Sequence, residues 1–319
     1  MMRIEVFLDE AASTVALRNE VVRGLTSTPK TLSPTWFYDE RGCELYDEIT
    51  KLDEYYPFRA EREILTNHAK EILGAAEPQT LVELGSGNSE KTRFLLDAMA
   101  MPATYVPFDV AETTLRDAAE ALMREYPGLE VHGIVGDFFH DLVHIPQDGR
   151  RMIALLGSTI GNLDPSQRTA MLAALRMQMT DGDTFLLGTD LVKDRKRLVD
   201  AYDDALGVTA AFNLNVLTRL NRELGADFDV AKFRHVAQFD EEHQWIEMRL
   251  ESLVDQPVHI GALDLDVTFD AGEQMRTEIS AKFTVDGIND ELRNAGMAVV
   301  DQWTDDAGDF LLTLAGVSS

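Results

Sequence analysis

The segment TLVELGSGNSEKT, residues 80–92, decides the reading of this chain. Thr80 to Leu84 is nearly continuous apolar text and reads as a buried strand. Gly85 and Gly87 come next, where a tight turn lets backbone N–H groups approach a ligand, and Glu90 to Met99 carries apolar residues at helical spacing. Strand, glycine loop and helix together open a parallel α/β sheet.

Working outward, the same rhythm repeats. Strands are predicted at Thr104–Phe108, Glu130–Val135, Met152–Leu156 and Thr184–Leu187, and helices at Glu112–Glu125 and Pro165–Met179, the latter with Asp164 as N-cap and Pro165 at N1. From about Lys193 to Asp270 the text changes to polar helix and then to strict alternation, as in Ile246, Met248 and Leu250 or Leu263, Leu265 and Val267, which marks half-buried antiparallel strands. A late helix, Ile288–Asn294, precedes two strands, Met297–Trp303 and Phe310–Leu314, separated by DDAGD as in a hairpin. The expected fold is α/β: a Rossmann-like seven-stranded methyltransferase domain, 60–192 and 282–319, with an inserted smaller α+β substrate-binding domain, 1–59 and 193–281. Residues 1–59 hold one amphipathic helix, with Val15, Leu17, Val21, Val22 and Leu25 on a stripe, and an aromatic-rich segment, WFYDERGCELYDEITKLDEYYP, that suggests a pocket wall or lid.

The loop chemistry narrows the ligand. A dinucleotide fingerprint wants a third small residue where Glu90 stands, and Glu83 and Glu90 place two carboxylates near a site meant for pyrophosphate. S-adenosylmethionine has no phosphate and carries a sulfonium, so it tolerates both acids. Asp109 ends the second strand about twenty residues after Gly87, where an acid accepts ribose hydroxyls in either cofactor class. Asp137 and Phe138, in GDFF, suit an adenine amine and its ring plane, although a helix N-cap explains Asp137 equally well. Lys91 could pair with a cofactor carboxylate or simply be a surface lysine.

Candidate substrate residues are scattered. GSTIGNL, residues 157–163, leaves the fourth strand at its carboxyl end, where open α/β sheets bind ligands, so the Asn162 amide could grip a carboxylate or serve as a turn residue. Tyr202 could close a second bond to that anion or be core. In MRTEISAKF, period two puts Glu278 and Ser280 on one strand face, an acceptor beside a donor that could hold both nitrogens of an imidazole; an exposed polar face is the plainer explanation. Met248 could line a pocket or pack.

Composition bounds the partners. A net charge of −27 repels nucleic acid and anionic membranes. The single Cys43 allows no internal disulfide and no thiolate zinc site, and no leader or membrane-spanning run is visible, which together predict a soluble cytoplasmic protein without a metal.

Read together, WFYDERG, DEYYPFRAE, VELGSGNSEKT, GSTIGNL, LLGTDLVKD, AYDDALGVTAAFN, IEMRLES and MRTEISAKF resemble the histidine Nα-methyltransferases of ergothioneine biosynthesis, over about residues 20–315. The resemblance implies a monomer of two interlocked domains that converts L-histidine to its trimethyl betaine, hercynine, with three S-adenosylmethionine molecules. It assigns Asn162 and Tyr202 to the substrate carboxylate, Glu278 and Ser280 to the imidazole, and Tyr55 to the imidazole side. Tyr38, Gly157 and Thr209 fall near the amine, with Tyr38 a candidate base and cofactor contact, and Gly85, Lys91, Asp109, Asp137 and Phe138 hold the cofactor. Tyr46 stands where a close relative has Phe; the aromatic face is kept. The competing expectations are a relative acting on another amino acid such as tryptophan, a catalytically inactive binding protein, and a nicotinamide oxidoreductase, the last disfavoured by Glu90 and the terminal hairpin.

Overall fold

The computed structural model describes residues 2–8, 10–101 and 103–318. Along the chain, β1 (Met2–Val6), α1 (Glu10–Thr26), α2 (Glu40–Ile49) and α3 (Tyr56–Ala76) come first. The alternating segment follows: β2 (Thr80–Leu84), α4 (Thr92–Ala98), β3 (Ala103–Asp109), α5 (Glu112–Glu125), β4 (Leu129–Val135), β5 (Arg151–Leu155), α6 (Pro165–Gln178) and β6 (Thr184–Asp190). Next are α7 (Arg195–Asp200), α8 (Val208–Leu224), β7 (Phe233–Asp240), β8 (Trp245–Ser252), β9 (Gln256–Ile260), β10 (Leu265–Phe269) and β11 (Gln274–Ala281). The last elements are α9 (Val285–Asn294), β12 (Met297–Thr304) and β13 (Phe310–Val317).

Two compact units result, one of Met1–Leu8, Pro57–Val192 and Phe283–Ser319, the other of Asp9–Tyr56 and Lys193–Lys282. The expected boundaries need three corrections, the first being that residues 57–59, expected in the smaller domain, fall in the larger unit with the rest of α3. Residues 2–6 belong with the larger unit, because β1 pairs in parallel with β4 from Met2 opposite Val131 to Val6 opposite Val135. Lys282 belongs with the smaller one: its N–H donates to the Gln244 carbonyl at 2.8 Å, whereas the Phe283 N–H donates to Asp190 at 2.9 Å.

The larger unit is built on an eight-stranded sheet ordered β1-β4-β3-β2-β5-β6-β13-β12, one strand more than expected, the addition being the edge strand β1. Strands β2, β5 and β6 are buried from end to end, as their continuous apolar text requires. Antiparallel β13 lies between β6 and β12 and forms the terminal hairpin with β12. Helix α6 starts on a full capping box, Asp164 accepting from the Ser166 and Gln167 N–H groups while the Gln167 side chain returns to Asp164, with Pro165 at N1.

Two buried polar clusters tie this sheet together. Arg151, wholly buried, pairs with Asp183, and also donates to the Pro146 and Gln178 carbonyls at 3.1 and 2.6 Å. At the end of β2, the Glu83 carboxyl accepts from the Thr92 hydroxyl and from the Tyr105 hydroxyl at 2.6 Å. Burial pushes Glu83 up to about 7, with both hydroxyls pulling the other way.

In the smaller unit a three-stranded sheet, β11-β8-β7, and a two-stranded one, β10-β9, pack with α1, α2 and α8 around a core that includes Val21, Leu45, Val216, Ile246, Met248 and Met275. Strand β11 carries a bulge: Arg276 lies opposite Arg249 and Glu278 opposite the adjacent Met248, so Thr277 is the extra residue. Among the described residues no helix is long and apolar enough to cross a membrane.

Two outcomes follow from the buried clusters. Asp183→Ala strands the Arg151 guanidinium, and urea unfolding is expected to show a loss of about 3–5 kcal/mol. For Glu83 the folded state holds its proton more tightly than the unfolded chain. Its contribution is therefore full below pH ~4.5 and is lost as pH rises toward ~7. Relative to Glu83→Gln, the unaltered protein is expected to lose up to about 3 kcal/mol across that window in unfolding titrations.

Candidate active site

In the larger unit the glycine loop has the geometry its sequence implies. Gly85 and Gly87 both take positive φ, +70° and +49°, and Gly85 N–H donates to the Phe108 carbonyl at 2.8 Å. A Cβ on Gly87 would meet nothing within 4 Å, so its backbone faces open space, while the nearest atom to a Cβ on Gly85 is on the Phe138 ring at 3.9 Å. Asp109 reaches back across the loop, accepting from Gly87 N–H at 2.8 Å through one oxygen and from Ala111 N–H at 2.9 Å through the other. Phe138 sits edge-on to Phe108, and Asp137 accepts from the Phe139 N–H at 2.9 Å in a local turn rather than capping a helix. Gly85, Gly87, Asp109 and Phe138 are thus brought together.

Lys91 is not a loose surface lysine. Its ammonium pairs with Glu61, a fully buried carboxylate on α3 that sequence reading passed over, and lies over the Phe58 ring at 5.2 Å. Both Glu61 oxygens also accept from the Gly157 N–H, at 2.8 and 3.0 Å. Gly157 has φ +73°, and a Cβ on Gly188 in β6 would stand 2.3 Å from Glu61 Oε1, so a side chain there would displace that carboxylate. Lys91, at the N-cap of α4, is thus anchored by a buried carboxylate from α3. Asn162, half-buried, ends the short 3-10 turn Thr159–Asn162, whose entry at Ser158 is left-handed and braced by Asp190 N–H donating to Ser158 Oγ at 3.0 Å.

In the smaller unit the aromatic-rich segment divides. Trp36 and Phe37 are core, Phe37 stacking on Phe212 of α8 at 4.5 Å. The tyrosines form a chain of edge-to-face contacts: Tyr38 to Tyr46 at 6.1 Å, Tyr46 to Tyr55 at 6.4 Å, Tyr55 to Tyr202 at 6.1 Å. Tyr38 is 48% exposed, yet lost hydration on its packed side, and then Tyr46 and Glu278, push its phenol well above the ordinary tyrosine range. At neutral pH it is a neutral hydroxyl and not a phenolate base.

Tyr202 ends this chain in a buried triangle. Its hydroxyl is 2.7 Å from Ser280 Oγ, and the Lys282 ammonium donates to Tyr202 at 3.0 Å and to Ser280 at 2.8 Å. Lys282 is the second residue that sequence reading passed over, although its place two residues after Ser280 on a strand was a signal. The β11 bulge sets the facing of this group. Glu278 and Ser280 lie opposite Met248 and Ile246, on the core-facing side that also carries Met275, whereas Arg276 faces the other way. Thr277 is pinned by its hydroxyl, which donates to Asn213 Oδ1 at 2.7 Å and to the Met248 carbonyl at 3.0 Å. Met248 itself is core packing. Thr209 is buried at the start of α8, its N–H held by Asp204 at 2.7 Å. Among the described residues no group of three or more His, Cys, Asp or Glu side chains could hold a metal ion.

The profile of the histidine-specific, S-adenosylmethionine-dependent methyltransferases matches residues 17–317. The histidine N-alpha-methyltransferase of Mycobacterium tuberculosis is 53% identical over 319 residues, covering 98% of this chain and 99% of that protein. Its counterpart in Mycolicibacterium smegmatis is 52% identical over 312 residues, covering 97% of each. The L-tryptophan methyltransferase of Psilocybe serbica is more distant, 27% identical over 95% of this chain and 94% of its own. The glycine loop and Asp109 in the larger unit, Glu278 and Ser280 on one face of β11, and a match along nearly the whole length agree: the chain belongs to the histidine-specific, S-adenosylmethionine-dependent methyltransferase family.

Proposed function

We propose that the protein transfers three methyl groups in succession from S-adenosylmethionine to the α-amine of L-histidine, giving hercynine, the first step of ergothioneine biosynthesis. The observation that carries the choice of histidine is the bulge-directed pair Glu278 and Ser280, an acceptor and a donor on one strand face, as an imidazole demands. The names of its mycobacterial relatives support the same substrate. A tryptophan-type indole offers one N–H and no ring acceptor, so Ser280 would find nothing on the ring to accept its proton.

Gly85, Asp109, Asp137 and Phe138 would hold the nucleoside of the methyl donor and Lys91 its carboxylate; when bound, the donor supplies an activated methyl on a sulfonium. Glu278 and Ser280 would fix the imidazole, with Tyr55 on that side, and Tyr202 and Asn162 the carboxylate. The Gly157 carbonyl, with its N–H engaged by Glu61, would accept from the amine, with Tyr38 and Thr209 near it. The chain's contribution is alignment and exclusion of water, not covalent chemistry. The attacking amine must be neutral, and each of the first two transfers leaves a proton on nitrogen that must depart before the next. Since Tyr38 is held as a neutral phenol, it is not poised as a phenolate base, and that proton would leave to water. We take the chain to act as a monomer in a reducing cytoplasm, in line with its lone Cys43.

Incubation with labelled S-adenosylmethionine and each of the twenty amino acids should give a trimethylated product from histidine alone by mass spectrometry; trimethylation of another amino acid in preference would replace this reading. Glu278→Ala should raise KM for histidine about tenfold or more while leaving the Kd for S-adenosylhomocysteine within about threefold. Asp109→Ala should do the reverse by isothermal titration. Equal losses of both ligands in either variant would mean that residue is misassigned.

A further inference from the structure

Lys282 has no role in the reading above, yet its side chain is 4% exposed and its ammonium donates to two hydroxyls, Tyr202 at 8% and Ser280 at 5% exposure. It also lies over the Tyr202 ring, 4.7 Å from the centroid. Continuing the β11 alternation past Ala281, it extends a stripe of carboxylate, hydroxyl and ammonium through Glu278, Ser280 and Lys282. We propose that Lys282 is a specificity-determining residue that makes the Tyr202–Ser280 pair a donor site and selects ligands that carry a carboxylate. This rests on the assignment of Tyr202 and Ser280 to substrate.

The argument is one of donor inventory and charge. An ammonium only donates, so each hydroxyl oxygen already accepts from a cation, and a hydroxyl polarised in that way becomes a stronger donor of its own proton. The 2.7 Å bond between the two hydroxyls uses one of their two protons and leaves the other to donate, so a ligand atom meeting the pair is best matched when it accepts: a carboxylate oxygen at Tyr202, or an unprotonated ring nitrogen at Ser280. The buried positive charge acts in the same direction, because at low local dielectric it favours an anion nearby far more than a surface lysine does. In a chain with a net charge of −27, whose long-range field repels anions, a local buried cation gives an amino-acid carboxylate a place to settle. The role is positioning and selection; Lys282 need not touch the ligand.

The test compares L-histidine with L-histidinol, which keeps the ring and amine and replaces the carboxylate by a neutral alcohol. Both are titrated into the full-length protein with S-adenosylhomocysteine present. The unaltered protein should bind histidine at least about tenfold more tightly than histidinol. In Lys282→Met that ratio should collapse to within about threefold while the Kd for S-adenosylhomocysteine changes less than about twofold. Lys282→Gln, which keeps a donor and removes the charge, should also shrink the ratio and covers the case in which Lys282→Met fails to fold. If both ligands weaken equally and the ratio stands, Lys282 merely props the strand and the inference is overturned. Equal binding of the two ligands to the unaltered protein likewise overturns it, with histidine still the substrate. Binding of neither would overturn the histidine reading itself.

Discussion

One extra residue in β11 sets the character of the smaller unit. Without the bulge at Thr277, strict alternation would put Glu278 and Ser280 on the same side as Arg276, away from Met275 and Met248. With it, the carboxylate and hydroxyl turn to the packed side. A bulge leaves one residue outside the ladder, and here that residue is buried and must be satisfied. The Thr277 hydroxyl anchors the bulge by donating to Asn213 Oδ1 and the Met248 carbonyl. Asn213 in turn donates to His235 Nδ1 at 2.8 Å, and the second His235 nitrogen bonds the Tyr202 carbonyl at 2.8 Å. This arrangement needs a neutral ring, in keeping with the way burial holds His235 below the ordinary histidine range. One relay of buried polar groups therefore fixes both the bulge and the backbone of Tyr202.

The larger unit applies the same physics to a different end. Glu61 is a buried carboxylate that would be costly alone. It is stabilised by the Lys91 ammonium and the Gly157 N–H, and so joins the start of α4 to the turn after β5. Asp109 does likewise for the glycine loop, bracing Gly87 and Ala111 with the two oxygens of one side chain. In both cases a charge is compensated locally, and the loops that carry it are held still before any ligand arrives. That suits a methyl transfer, in which geometry and dryness supply most of the rate and little proton chemistry is asked of side chains.

The aromatic-rich segment shows how one stretch serves two ends. Trp36 and Phe37 fill the core, while Tyr38, Tyr46 and Tyr55 form an edge-to-face row that ends at Tyr202. The faces of such rings attract cations, and every methyl transfer to a neutral amine leaves a cationic ammonium product. Burial pushes the Tyr38 and Tyr55 phenols well above the ordinary tyrosine range, so both are neutral at pH 7.

Most of the parallel sheet was legible because buried strands are written as continuous apolar runs and capped helices as Asp-Pro or Gly punctuation; β2, α5 and the Asp164 cap fall where the text puts them. Strand β1 was not, since five residues broken by Arg3 and Glu5 gain strand character only from pairing with β4. The residue types of the site could likewise be read from local motifs: glycines where the backbone turns, Asp109 at a strand end, Glu278 beside Ser280. Glu61 could not, because a charged residue becomes a buried partner only when segments distant in sequence close around it, and Lys282 offered only its spacing from Ser280, its burial against Tyr202 being decided by the fold. Sequence by itself determined the period of each element and so the α/β architecture; the tertiary structure decided which face of β11 points inward, because a bulge inverts a strand's facing without changing the order of its residues.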